Sequence, residues 1–422
     1  MLLKISQYII LFLYIYSIQF IGLPFGIGTR VVLAILGLCL FFLNIKKKLS
    51  FNSDFLKLMF ILILLSLVSL FSTLVNITND YQFVGYSFSL LLIFLASYFT
   101  FNFFLIKKEV SSNNYFKVIS EGIIYIVLIQ SFLAFVMFFY SPVADFLNSI
   151  QVFIDLDKDK LEEALELRLV GFGIKFFAFG IVNGYALILL ASLLKKENYT
   201  PSKRVFLWLT YFVIFLIGMM AARTTVIGFC LSMLLYFNPF QKKIKIKTKD
   251  KWKLIAYFIL LLFLVYFVNI SLFHSDNSKF NQLFDFGFDL FINFFETGNA
   301  NSASLNQMNE MYIWPTELET YVIGDGRFMG VGSDYYYKGT DIGWIRLLYY
   351  FGIPGTVIYF ITHYFIIRKS IKRYPIYKVT FWMLLIYFFI LNFKGFSDII
   401  FLIIPFLLTI NIKNKSLNEV QR

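Results

Sequence analysis

Five cations and one carboxylate stand at the ends of long apolar stretches, where a charge needs a partner or a task. Arg168 opens Arg168-Leu169-Val170-Gly171-Phe172-Gly173, with Lys175 just beyond it. Arg223 interrupts an apolar tract in Ala221-Ala222-Arg223-Thr224-Thr225. Arg327 closes Gly324-Asp325-Gly326-Arg327, and Asp341 and Arg346 belong to Thr340-Asp341-Ile342-Gly343-Trp344-Ile345-Arg346. A guanidinium is a planar fork that grips phosphate oxygens and does not titrate away, so the arginines read as a pocket for a diphosphate. A carboxylate among arginines is ionised and can take a proton from a hydroxyl group, which makes Asp341 the candidate general base. Plainer readings stand beside these. The arginines can be ion-paired with Asp341 or Asp398, and Asp341 can orient an arginine or cap a helix beginning at Ile342. The two histidines, His274 and His363, have no second histidine or carboxylate at ligand spacing, and His274 is the alternative base.

The elements that must position these residues are membrane spans. The chain has 422 residues, 59% hydrophobic and only 15% charged, whereas a soluble domain is about half apolar and about a quarter charged. Apolar runs of membrane-crossing length recur along it. They give an all-α polytopic membrane protein of about 12 spans, at roughly 5–22, 30–45, 54–75, 81–105, 117–140, 172–194, 204–220, 223–238, 254–272, 341–366, 377–393 and 397–411. The whole of 1–422 then forms one membrane domain.

A net charge of +13 would ordinarily suggest nucleic acid. Here the connectors alternate in sign. One side carries about 27 of the 38 Lys and Arg and about 6 of the 25 Asp and Glu, which marks it as cytoplasmic with both termini. It includes Lys46-Lys47-Lys48, the run from Lys242 to Lys253, and Arg368 to Lys378. The excess of positive charge is therefore a topology signal, and no nucleic-acid partner is expected. Cys39 and Cys230 both fall inside spans and form no ligand cluster. No Walker loop, dinucleotide glycine pattern or zinc motif occurs, so neither cofactor nor metal is expected.

Two outward loops are long, 141–168 and 273–340. The first is acidic, with Asp155, Asp157, Asp159, Glu163 and Glu166 near calcium-loop positions. Lys160 stands where that loop needs glycine, and Leu156, Leu161, Leu165 and Leu169 fit a solvated amphipathic helix instead. In the second loop Phe280, Leu283, Phe284, Phe288, Phe291 and Phe295 recur at helical spacing, interleaved with Asp285, Asp289 and Glu296. That pattern predicts an interfacial helix or a lid over the spans. The tract from Gly324 to Gly339 adds Tyr335 and Tyr336, which either stack on sugar rings or form an aromatic belt.

Taken in order, four segments resemble the O-antigen and capsular polysaccharide polymerase family (Wzy), with likeness to the related O-antigen ligases. They are Arg168 to Gly173, Ala222-Arg223-Thr224, Gly324 to Arg327, and Asp341 to Arg346 running into Tyr349-Tyr350-Phe351-Gly352-Ile353. The resemblance covers most of the chain, including the enlarged third and fifth outward loops. It implies a metal-independent glycosyltransferase of the bacterial cytoplasmic membrane. The substrate would be an undecaprenyl-diphosphate-linked oligosaccharide, and a chain-length regulator and a flippase of the same pathway would be its partners. An acceptor hydroxyl would attack the anomeric carbon, and undecaprenyl diphosphate would leave. Arg223, with Arg168 or Arg327, would handle the diphosphate. The catalytic set is then Asp341, Arg223 and Arg327, with Arg168, Arg346, Lys175, Tyr335 and Tyr336 binding substrate. The family's Arg-x10-Gly pattern is matched here only with one extra residue, from Arg168 to Gly180 and from Arg327 to Gly339. The ligases carry a histidine near the start of the helix after the large loop, where this chain has Asp341. A ligase and a lipid-linked oligosaccharide flippase are the competing readings. A flippase would line a central cavity with ionisable residues.

Overall fold

A computed structural model describes residues 2–24, 26–44, 53–106, 114–152, 168–174, 176–238, 279–298, 303–330 and 336–408. Among them there are helices and isolated bridges but no strand. Six helices are long and apolar enough to cross a membrane, and four shorter apolar helices accompany them, as in a multi-pass membrane protein. In chain order the helices are α1 (Leu2–Tyr16), α2 (Thr29–Asn44), α3 (Ser53–Val75), α4 (Tyr86–Phe104), α5 (Tyr115–Phe139), α6 (Ser141–Ser149), α7 (Phe176–Lys196), α8 (Pro201–Ala221), α9 (Thr225–Phe237), α10 (Lys279–Thr297), α11 (Ala303–Glu310), α12 (Leu318–Val322), α13 (Gly343–Arg373), α14 (Lys378–Leu391) and α15 (Ile400–Ile403). The span expected at 254–272, the Lys242–Lys253 run, the calcium-like stretch, His274, Lys175 and Tyr335 lie outside the described residues.

Helix α7 is the axis of the bundle. Every residue from Phe179 to Lys195 is buried, which marks a helix surrounded by protein on all sides. Its neighbour α9 comes so close that a Cβ on Gly228 would stand 2.2 Å from the Cα of Gly184, so only glycine serves at that crossing. The outer helix α3 is the opposite case. Leu56, Phe60, Ile63, Leu67, Phe71 and Leu74 are exposed at helical spacing, the apolar stripe expected to face lipid.

Three spans differ from their expected course, one of them the last, since the described part of 397–411 holds only the four-residue α15 and a 3-10 turn at Ile404–Phe406, where Pro405 supplies no N–H. The first helix stops at Tyr16 rather than near residue 22, because Ser17 takes a positive φ of 44° and Phe20 pairs with Gln151. Helix α13 is broken at Phe351 and Gly352, where Gly352 has a φ of 65°, and Pro354 supplies no N–H just beyond. The break frees carbonyls that must find donors. Gly326 N–H donates to Tyr350 O at 3.1 Å, Asp325 N–H to Tyr349 O at 2.5 Å, and Ser72 Oγ to Tyr350 O at 2.7 Å. The Gly324-Asp325-Gly326 turn is thus a plug in a broken helix. Gly324 must be glycine there, with a φ of 83° and only 2.6 Å between its Cβ position and the Tyr350 backbone.

Candidate functional site

Arg168, Arg223, Asp341 and Arg346 gather at one end of the bundle. The chain leaves α8 through an extended Ala222, and Arg223 precedes α9. There Arg223 Nε donates to Phe286 O at 2.8 Å and Nη2 meets Asp289 Oδ2 at 3.1 Å. Both acceptors lie on α10, the amphipathic helix of the long loop, and its Gly287 packs against the Met219–Met220 backbone. Leu169 N–H donates to Met220 O at 3.3 Å and sets Arg168 alongside. The Phe286 ring then faces two guanidiniums, Arg168 at 4.5 Å and Arg223 at 4.7 Å. Cation–π attraction holds both arginines against one ring although they repel each other.

The facing wall comes from the start of α13 and the turn after α14. Gly343 lets the two approach, since a Cβ there would stand 2.6 Å from Asn392 Oδ1 and 2.8 Å from Gly395 O. Trp344 N–H donates to Asn392 O at 3.1 Å, and Asn392 ties its own turn to Ser397. Asp341 therefore sits next to Gly395 and close to Lys394. Asp341 Oδ1 accepts from Arg346 Nη1 at 3.2 Å. Arg346 is buried, lies over Phe328 at 3.7 Å and Tyr336 at 4.7 Å, and donates through Nη2 to Phe328 O. It orients Asp341 from below.

Electrostatics joins the two walls. Burial pushes the Lys394 ammonium down from 10.5 to about 8, aided by the charges of Arg223 and Arg168 and opposed by Asp341. Burial also lowers Arg168, with Arg223 adding to the effect, while for Arg223 Asp289 opposes the burial. Both guanidiniums stay charged because their ordinary value lies so high. Asp341 is raised by burial despite Arg346, Tyr336 and Lys394, which makes it a stronger base than a free aspartate. Among the described residues three cations thus converge without enough acid to neutralise them. Among the described residues Arg168 and Lys394 have no ion pair, and Arg223 keeps one buried nitrogen, Nη1, without a hydrogen-bond partner. An anion is the chemical complement of such a place.

Arg327 is elsewhere. It lies near Tyr337, whose hydroxyl donates to Asp325 Oδ2 at 3.0 Å and is pushed up to about 12, mainly by burial and Asp325. His363 is also not alone as expected. Its Nε2 contacts Asp398 Oδ1 at 3.3 Å, while Asp398 Oδ2 accepts from Tyr86 OH at 2.8 Å. Among the described residues no three His, Cys, Asp or Glu side chains group closely enough to hold a metal ion.

Sequence reasoning missed Lys394, Arg30 and the partner of His363. Lys394 hides in the short turn Asn392-Phe393-Lys394-Gly395, and Arg30 is the single charge at the start of α2. A rule applied evenly to every charge at a span end would have flagged both. Arg30 opens onto a cavity of about 810 Å³ at the same end of the bundle, lined also by Asp398, Phe176, Phe177, Ala178 and Phe396. No family model, no curated protein and no solved structure matches the chain.

Proposed function

We propose that the protein is a polymerase of undecaprenyl-diphosphate-linked oligosaccharides, working at the external face of the bacterial cytoplasmic membrane. The observation that carries this is the convergence of Arg168, Arg223 and Lys394 on one place beside a basic Asp341. The acceptor hydroxyl oxygen bonds to the anomeric carbon of the donor sugar. The bond from that carbon to the phosphate oxygen breaks, and undecaprenyl diphosphate departs with the electron pair. Arg168, Arg223 and Lys394 stabilise the charge that grows on the diphosphate. Asp341 receives the hydroxyl proton, and Arg346 acts through Asp341 by fixing its orientation. The donor is already activated, so the reaction draws on no nucleotide. Arg327 directly follows Gly326 of the turn that plugs α13 and acts on the Tyr337 hydroxyl through its charge.

A ligase would use the same chemistry on a different acceptor. A flippase fits less well, because the uncompensated charge lies at one end of the bundle and not along a central path. Purified protein given lipid-linked repeat units should yield a ladder of longer glycans and release undecaprenyl diphosphate. A strain lacking the gene should keep single repeat units on its surface and lose the ladder. Complete loss of surface glycan in that strain, with no elongation in vitro, would remove the polymerase reading. Orientation is tested with Cys39 and Cys230 replaced. An impermeant thiol reagent should label Glu317→Cys and spare Lys372→Cys in intact cells, both positions being exposed at opposite ends. The reverse pattern would invert the topology.

A further inference from the structure

The cavity of about 810 Å³ has walls unlike the cation site next to it. Its size falls within the roughly 300–1,000 Å³ of pockets that take drug-sized ligands. Arg30, Asp398 and Ser17 line the same space, with Phe177, Phe396 and Phe401 as aromatic surfaces. Arg30 is held in place by the backbone of α1, Nε donating to Tyr14 O and Nη2 to Ile15 O, both at 3.0 Å, with its guanidinium 4.5 Å from the Phe401 ring. Asp398 is fixed by Tyr86, His363 and the Ile400 N–H. Such rigid groups are pre-set for a ligand rather than tied to each other. An anion placed here would meet the Asp398 carboxylate, and a cation would meet Arg30. A group offering donors and acceptors side by side satisfies both, and hydroxyls on a sugar ring do so while the ring's apolar face lies on an aromatic side chain.

The cavity also leads to the base. A Cβ on Gly395 would stand 3.3 Å from the Phe177 ring and 3.5 Å from Asp341 Oδ2, so Phe177, a wall of the cavity, and Asp341 flank a single point. Phe176, another wall, lies 5.5 Å from Arg168. We infer that the cavity is the acceptor subsite, binding the uncharged, hydroxyl-rich end of the acceptor glycan through Arg30, Asp398 and the aromatic walls, and directing one hydroxyl to Asp341. This rests on the polymerase reading for the word acceptor, while sugar binding as such does not.

The probe is the free repeat-unit oligosaccharide, released from its lipid and phosphate by mild acid, added to the full chain in nanodiscs. Saturation-transfer NMR reads its binding, and undecaprenyl diphosphate is titrated separately. Ala178 is exposed and lines the cavity, so Ala178→Trp fills the space without entering the packed core. Asp398→Asn removes the charge at nearly constant shape. Asp398→Asn should weaken the sugar about tenfold or more, the loss of one hydrogen bond to a charged group, and Ala178→Trp should weaken it at least as much by occupying its space. Both should leave undecaprenyl diphosphate affinity within about twofold, and Arg223→Lys should do the opposite. Unchanged sugar affinity in both cavity variants, or no sugar binding by the wild type, overturns the subsite. Loss of undecaprenyl diphosphate in Ala178→Trp also overturns it and gives the cavity to the lipid headgroup. Sugar binding without any chain elongation leaves the subsite standing and removes the polymerase reading instead.

Discussion

The two ends of the bundle handle charge in opposite ways. At the end where α5 and α8 begin, two lysines meet two glutamates. Lys117 pairs with Glu197 at 3.1 Å and Lys203 with Glu121 at 2.8 Å, and Tyr199 and Tyr377 donate to the same two glutamates. Two further cations there donate to carbonyls. Lys195 Nζ donates to Leu235 O and Asn238 O and so caps α9, and Arg204 donates to Leu194 O and Glu197 O. At the other end burial lowers all three cations, the charges of Arg223 and Arg168 lower Lys394 further, and only Arg223 has an acid partner among the described residues, Asp289. Pairing makes a stable terminus, whereas unrelieved repulsion is a standing cost that an anionic ligand can offset. The proposed chemistry therefore belongs to the smaller positive set and not to the lysines of the paired end.

The comparison is broken most severely at Asp341. Asp341→Asn keeps the shape and the contact to Arg346 but cannot take a proton, so single-turnover product formation should fall by roughly 10²–10⁴-fold with thermal stability nearly unchanged. A stable variant with near-normal turnover would shift the proton to another group or to positioning of substrate alone. Arg223→Ala should cost about 10²–10³-fold in rate. It also releases Asp289 and Phe286 O, so α10 should become more open to protease. Arg223→Lys separates the two effects. It retains the charge but not the fork, and should remain impaired.

Lys394 gives a smaller effect with a definite sign. Its folded value, about 8, lies below the ordinary 10.5. The unfolded chain therefore holds that proton more tightly, and stability rises as pH climbs from about 8 to about 10.5. The burden is fully present below about pH 8. Lys394→Met should raise Tm at pH 7 and change it little near pH 10.5. A drop in Tm at pH 7 would show that the ammonium has a stabilising partner. At the paired end, Lys117→Met should lower stability by no more than about 1 kcal/mol and leave turnover unchanged, because both groups are partly open to solvent. A large loss of activity there would erase the distinction between the ends.

The sequence carried most of the helices, because apolar length and charge alternation are local properties. The α10 helix follows from its Phe and Leu spacing, and Arg168, Arg223, Asp341 and Arg346 stood out as lone charges at span ends. What was not legible depends on distant contact. Gly324-Asp325-Gly326-Arg327 looked like part of the phosphate site, yet its glycines serve a break in α13 that begins 26 residues after Asp325. The His363–Asp398 contact joins residues 35 apart, and the cavity is assembled from α1, α2, α7 and the turn before α15. No window of sequence contains those surfaces together.

The cation-rich end should bind a diphosphate. This is tested most directly by titrating inorganic diphosphate into the purified protein at pH 7 while following Tm, with sulfate at equal ionic strength as reference. Diphosphate should give a saturable rise in Tm beyond that for sulfate, reduced in Arg168→Ala and Arg223→Ala and preserved in Lys117→Met. A rise equal to that with sulfate, or one that survives the loss of both arginines, would contradict it.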